Sequence, residues 1–167
     1  MKKTIIDGVS YYPHSNGGGL VAETATVSKT AYIGLNAMVC DNAKVTGNAI
    51  IYNHAIVSDN AEVSGEATVS GNAWVYNNAR VSGHAVVGGH ARVYGNARVN
   101  GHAVVGGLAQ ILGNAIVSGK AIVSDSARVS DDAYVSGHVH GYAQISGNAS
   151  VSDDIRISGN TKITANA

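Results

Sequence analysis

From Ala25 to His138 the chain consists of nineteen consecutive six-residue units with no insertion or deletion. The first position of every unit is Ala and the third is Val or Ile, while the fifth and sixth are mostly Gly, Asn, Asp, His or another polar residue. A short period recurring this often predicts a solenoid, in which each unit buries its apolar face only by stacking on its neighbours. Within a unit the first four positions alternate small, variable, branched apolar and polar, the period of two of a strand buried on one face. Ala and Val therefore point inward. β-Branched Val and Ile suit a pleated strand, and Ala is small enough to let the chain approach the axis near a corner. Gly, Asn and Asp at the last two positions tolerate the left-handed backbone of a tight turn. One unit is thus one short strand and one corner.

Units such as Ala-Arg-Val-Ser-Gly-His, from Ala79 to His84, resemble those of the left-handed β-helix hexapeptide-repeat proteins. The resemblance runs from about Thr24 to Asn166. It implies an all-β fold, a left-handed parallel β-helix in which three strands make a triangular coil of eighteen residues, with about eight coils in all. A homotrimer is implied in the same way. The recurring Asn-Ala-x-Val-x-Gly phrasing, with Gly18-Gly19-Leu20-Val21 ahead of it, also resembles β-helix proteins of phages and prophages.

Residues 1–24 are expected to form an N-terminal cap and entry segment, and residues 25–167 the β-helix with its C-terminal cap. In the first segment Ile5, Ile6, Val9, Tyr11 and Tyr12 are apolar enough to plug the open end of a solenoid. Gly17-Gly18-Gly19 then makes a flexible entry, without the helix signal or Lys that a phosphate loop requires. After His138 the period slips: Val139-His140-Gly141-Tyr142 reads as a unit lacking its first two residues, followed by four full units from Ala143 to Asn166.

Stacking every eighteenth residue sorts the outward second position into three columns. The first carries Thr26, Lys44, Glu62, Arg80, Arg98, Ile116 and Tyr134; the second Tyr32, Ile50, Thr68, Val86, Val104 and Ile122; the third Met38, Ile56, Trp74, Arg92, Gln110 and Arg128. An apolar stripe with small neighbours at Gly34, Ser70, Gly88 and Gly106 marks an interface, so Tyr32, Ile50, Val86, Val104 and Ile122 are the expected subunit contacts. Asn42, Asn60, Asn78, Asn96 and Asn114 fall in one corner column and predict an amide ladder. His84, His102, Lys120 and His138 fall in a second, and His54, Asn72 and His90 in the third.

Eleven basic residues balance eleven acidic ones, so no whole-molecule field recruits double-stranded nucleic acid or an acidic membrane. A single cysteine, Cys40, excludes an internal disulfide and fits a reducing compartment. Asp7 and Gly8 interrupt the apolar run of Thr4 to Ile6 too early for a signal peptide, and no long apolar segment follows, which predicts a cytoplasmic protein.

For chemistry, Trp74, Tyr76, Arg92 and Tyr94 of the third face are expected to meet Arg80 and Arg98 of the first across the Asn corner. Such a group, with Trp74 and Arg92 paired by cation–π attraction, would hold a small anionic ligand such as a nucleotide. The His54–His90 and His102–His138 spacings of thirty-six resemble those of the γ-class carbonic anhydrases. Gly95 and Ala143 stand where that family needs a further His, so no zinc site is expected. Acyl transfer is the activity implied most often by the hexapeptide-repeat resemblance. There His84, His102, His138 or His140 would be the general base and coenzyme A the cofactor. The sequence has neither the fencing loop nor the helical domain common in such enzymes. The expected function is therefore that of a non-catalytic, homotrimeric binding scaffold without cofactor, its ligand held in the grooves between subunits or at the arginine and aromatic patch, with the acyltransferase as the alternative.

Overall fold

A computed structural model describes residues 3–166 and is, from Leu20 onward, a three-faced parallel β-solenoid of about eight coils. The second and third positions of successive units form two-residue strands, such as Trp74–Val75 and Arg80–Val81. Each pairs in parallel with the strand one coil away: Lys44 with Glu62, Ile50 with Thr68, Ile56 with Trp74. The three faces are sheets of eight, eight and eleven strands. At the ordinary strand spacing of about 4.8 Å, eight coils make a prism roughly 38 Å long.

The core is a single axial column. From Ala31 to Val135 every first-position Ala and every third-position Val or Ile is fully buried. With each Val or Ile contributing roughly 1.5–3 kcal/mol on burial, stability accumulates coil by coil, since each coil contacts only the two beside it.

Corners are set by backbone sterics. From Asp41 to Asp131 the fifth residue of every unit adopts positive φ, 58° at both Asp59 and Asn77 and 70° at Gly101, a region open chiefly to Gly, Asn and Asp. Gly101 answers a second constraint as well, because a Cβ there would lie 2.9 Å from the Gly119 carbonyl oxygen of the next coil. Where Asp takes the position its carboxylate is used: Asp59 Oδ2 accepts the backbone N–H of Asn77 at 2.8 Å, and Asp41 Oδ2 that of Asp59 at 3.1 Å.

The slip in period falls at a different point from the one the sequence suggests. His138–Val139 is itself a strand of the second face, paired with Ile122–Val123 sixteen residues earlier. The missing pair is the corner after Tyr134–Val135, replaced by a tight bend at Ser136 and Gly137. Gly137 takes the interior first position, where a Cβ would meet the Ser152 carbonyl oxygen at 2.2 Å. Omitting a corner keeps both flanking strands and their buried Val residues. His138 is thus an outward residue of the second face and does not continue the His84 and His102 corner.

At the N-terminal end, β1 (Thr4–Ile6) and β2 (Val9–Pro13) form an antiparallel hairpin. Its two-residue turn, Asp7-Gly8, has φ of 48° and 80°, the double positive φ of a type I′ turn. β2 pairs antiparallel with β3 (Leu20–Ala22), which pairs in parallel with Met38–Val39. The third face therefore begins at Leu20, and the hairpin continues its plane. Among the expected plug residues only Tyr11 is buried; Ile5 is 67% exposed, and Val9 and Tyr12 are also exposed. Pairing with the edge of β3 satisfies its backbone groups, which an apolar plug would have left unmatched. Ile155 and Thr161, at the interior first position of the last units, are likewise exposed. No helix among the described residues is long and apolar enough to cross a membrane.

Candidate functional site

The corner joining the third face to the first carries the amide ladder. Asn78 Nδ2 donates to Asn96 Oδ1 at 3.3 Å, Asn96 to Asn114 at 3.1 Å, and Asn114 to Asp132 Oδ1 at 3.0 Å. Each amide has two N–H donors and two carbonyl lone pairs, so one of each stays available at every coil for a ligand. On the first-face flank, Asn78, Asn96 and Asn114 line a cavity of about 320 Å³ with Arg80 and Arg98. Towards the N-terminus the same corner opens into a shallow cavity of about 550 Å³ lined by Asp41, Asp59, Asn77 and their neighbours. The corner is acidic in one half and basic in the other.

The two arginines differ. Arg80 Nε lies 3.5 Å from Glu62 Oε2, and Glu62 Oε1 lies 3.8 Å from Lys44 Nζ. Arg98, paired in register with Arg80, joins none of the ion pairs among the described residues. Its guanidinium, with five donors and a fixed charge, adjoins unspent amide donors at an open cavity, which suits a phosphate or carboxylate.

The expected six-residue patch is divided between two corners. Tyr76 and Tyr94, at the fourth position of their units, stack at 4.9 Å with planes 8° apart, and Trp74 packs on Tyr76 at 4.3 Å. Trp74 Nε1 donates to Ser58 Oγ at 2.9 Å and Tyr94 Oη to Gln110 Oε1 at 3.4 Å. Trp74 thus leans along its own strand onto Tyr76, although Arg92 is its register partner. Arg92 lines the opposite corner, in a cavity of about 370 Å³ with His90, Leu108, Gln110 and Ser126. Burial, with Tyr94 beside it, raises the Tyr76 hydroxyl pKa above its ordinary value, and Arg92 opposes the shift. Tyr76 therefore stays a neutral donor.

The histidines do not converge. His84 and His102 stack on the corner between the first and second faces with ring centroids 4.8 Å apart, and His84 Nδ1 lies 3.3 Å from Glu66 Oε2. His140 Nδ1 is 4.0 Å from Asp125 Oδ2, and His138 sits on the second face between Ile122 and Arg156. No group of three or more His, Cys, Asp or Glu among the described residues could hold a metal ion. Burial raises the Cys40 thiol pKa, a hydrogen bond with Tyr11 opposing the rise, so Cys40 is a poor nucleophile.

On the second face Tyr32, Ile50, Val104 and Ile122 are each about 40% exposed and Val86 is half-buried. They form one apolar stripe in register along the sheet. Sequence reasoning did not pick out Gln110 or the Asp41 and Asp59 carboxylates. The eighteen-residue spacing of Asp41, Asp59 and Asn77 is the signal that could have found the last two.

The family model described as the YdcK beta solenoid repeat matches residues 73–89, 91–107, 109–125 and 143–159. Its matches begin at first-position Ala residues of the third face, one coil apart from Ala73 to Ala109. The last begins thirty-four residues after Ala109, two coils less the pair lost at the Gly137 bend. The chain is a β-solenoid repeat protein by both pattern and coordinates. Searches of the curated proteins and of the solved structures give no match.

Proposed function

We propose that this protein is a non-catalytic scaffold that binds a small anionic ligand, a nucleotide or similar phosphate ester, at the Asn corner. The observation that carries the reading is Arg98, a guanidinium without a carboxylate partner among the described residues, beside the amides of Asn96 and Asn114. Arg80 serves as a second, partly neutralised cation, and the exposed Trp74 and the Tyr76–Tyr94 stack give the adjoining face its aromatic character. No cofactor takes part. Self-packing of the apolar stripe on the second face into a homotrimer is part of the same reading; a phage-associated setting fits the phrasing of the repeats, and a cytoplasmic one the single cysteine. Calorimetric titration with adenosine monophosphate tests it: saturable binding lost in Arg98→Ala supports the reading, and equal binding by the variant, or no heat from the native chain, overturns it.

The His84–Glu66 pair supports a second reading, a coenzyme A-dependent acyltransferase, because a carboxylate at 3.3 Å orients an imidazole as a general base. Thermal stabilisation by coenzyme A, lost in His84→Ala, is its test.

A further inference from the structure

The N-terminal end of the prism is closed unequally on its three faces. On the third, β1 and β2 add two strands beyond β3. On the second, a turn at residues 15–17 lies across the edge: Gly19 N–H donates to the Ile33 carbonyl at 2.9 Å, Ile33 N–H to the Asn16 carbonyl at 3.0 Å, and Gly18 makes one antiparallel bridge to Gly34. On the first, nothing is added among the described residues; Thr26–Val27 is the last strand of its sheet, and Ala25 and Val27 are only half-buried. Beside this bare edge lies a cavity of about 450 Å³ lined by Val21, Ala25, Val27, Tyr12, His14 and Lys29 among others. Ile5 is paired with Ser10 in the hairpin. Side chains alternate between the faces of a strand, so Ile5 lies on the same face of the third sheet as Tyr12 and Val21, the face towards the mouth.

We propose that a second copy of this chain covers this end, head to head about a two-fold axis through the second face. That axis turns the second face onto its own copy and exchanges the first face with the third. Across the joint the hairpin of one copy then lies over the bare Thr26–Val27 edge of the other, its reciprocal lies on the opposite side, and on the second face the bridged turn of each copy meets that of the other. The two-fold reverses the partner's strand direction, so β1 meets Thr26–Val27 antiparallel, in the same sense as β2 on β3. An isologous joint of this kind leaves no open edge at this end, and Ile5 of each hairpin comes against the other copy's apolar mouth. The strand directions and the apolar surfaces match without a change in either chain.

The joint lies at the end of the prism and the trimer contact along its side, so the two are separable by stoichiometry. Light scattering on the full chain is expected to give an even number of 17.0 kDa protomers, two or, with the side contact, six. Ile5→Asp, at a site already 67% exposed and therefore tolerable to the fold, is expected to halve that mass while leaving the circular dichroism spectrum unchanged. A monomer or a trimer in the native chain overturns the proposal, as does an even assembly whose mass Ile5→Asp does not change. A dimer that Ile5→Asp dissolves supports the joint and counts against the trimer alone.

Discussion

Arg98 stands one coil beyond Arg80 in the same ladder, yet only Arg80 has a carboxylate, Glu62, within 3.5 Å of its guanidinium. The difference divides their roles. Arg98→Ala should remove a charge-assisted contact worth about 1.5–3 kcal/mol to a bound phosphate, a loss of roughly ten- to a hundredfold in affinity. Arg80→Ala should cost less, since Glu62 already competes for that side chain. Titration of both variants with the same nucleotide checks the order.

Core substitutions should act locally and in proportion to the volume removed. Ile111 is fully buried; Ile111→Val should cost about 0.5–1.5 kcal/mol and Ile111→Ala about 2–5 kcal/mol. Because coils stack in one dimension, the amides whose exchange quickens most should be those of the flanking coils. Denaturant unfolding gives the magnitude and hydrogen exchange the location.

Gly101 and Asn77 occupy equivalent corner positions with φ of 70° and 58°, but their neighbours differ. Gly101→Ala meets both an unfavourable backbone region and the Gly119 carbonyl, and should destabilise by about 1–3 kcal/mol. Asn77→Gly relieves the backbone, keeps the backbone N–H bond to Asp59 and gives up only the side-chain bonds to Asp59 Oδ2 and from Gly95 N–H, so its net effect should be much smaller. The two melting curves test the contrast.

Tyr11 links stability to alkaline pH. Burial, then its hydrogen bond and charge interaction with Cys40 and the charges of Asp41 and Asp7, raise its pKa from 10.0 to about 12. A folded-state value above the unfolded one means that the contribution is complete below pH 10 and is lost as pH rises towards 12. The native chain should therefore lose stability over that window, and Tyr11→Phe should lose less of its own. Chemical denaturation at pH 8 and at pH 11 compares them.

The coil itself is legible in the sequence because two residues per unit carry it: an invariant Ala and a Val or Ile fix the inward face, and the Gly, Asn or Asp corner fixes the turn. Spacing alone also gives the amide ladder from Asn78 to Asn114, although Asn42 and Asn60 of the same column join none of its bonds among the described residues. The slip at Gly137 does not, since omitting a corner and omitting a strand start delete the same number of residues; only the cost of losing core side chains separates them. Trp74 leans on Tyr76 through a choice of rotamer, which eighteen-residue arithmetic does not contain. Asp7-Gly8 between short apolar runs is a hairpin signal, but apolarity alone points to a plug, and the unpaired edge of Leu20–Ala22 decides for the hairpin.

The most direct measurement is side-chain NMR of the labelled protein during titration with adenosine monophosphate. The account predicts saturable shifts confined to the amide groups of Asn78, Asn96 and Asn114 and the guanidinium of Arg98. Shifts centred on His84 and His102, or none at ligand concentrations that saturate ordinary nucleotide sites, would contradict it.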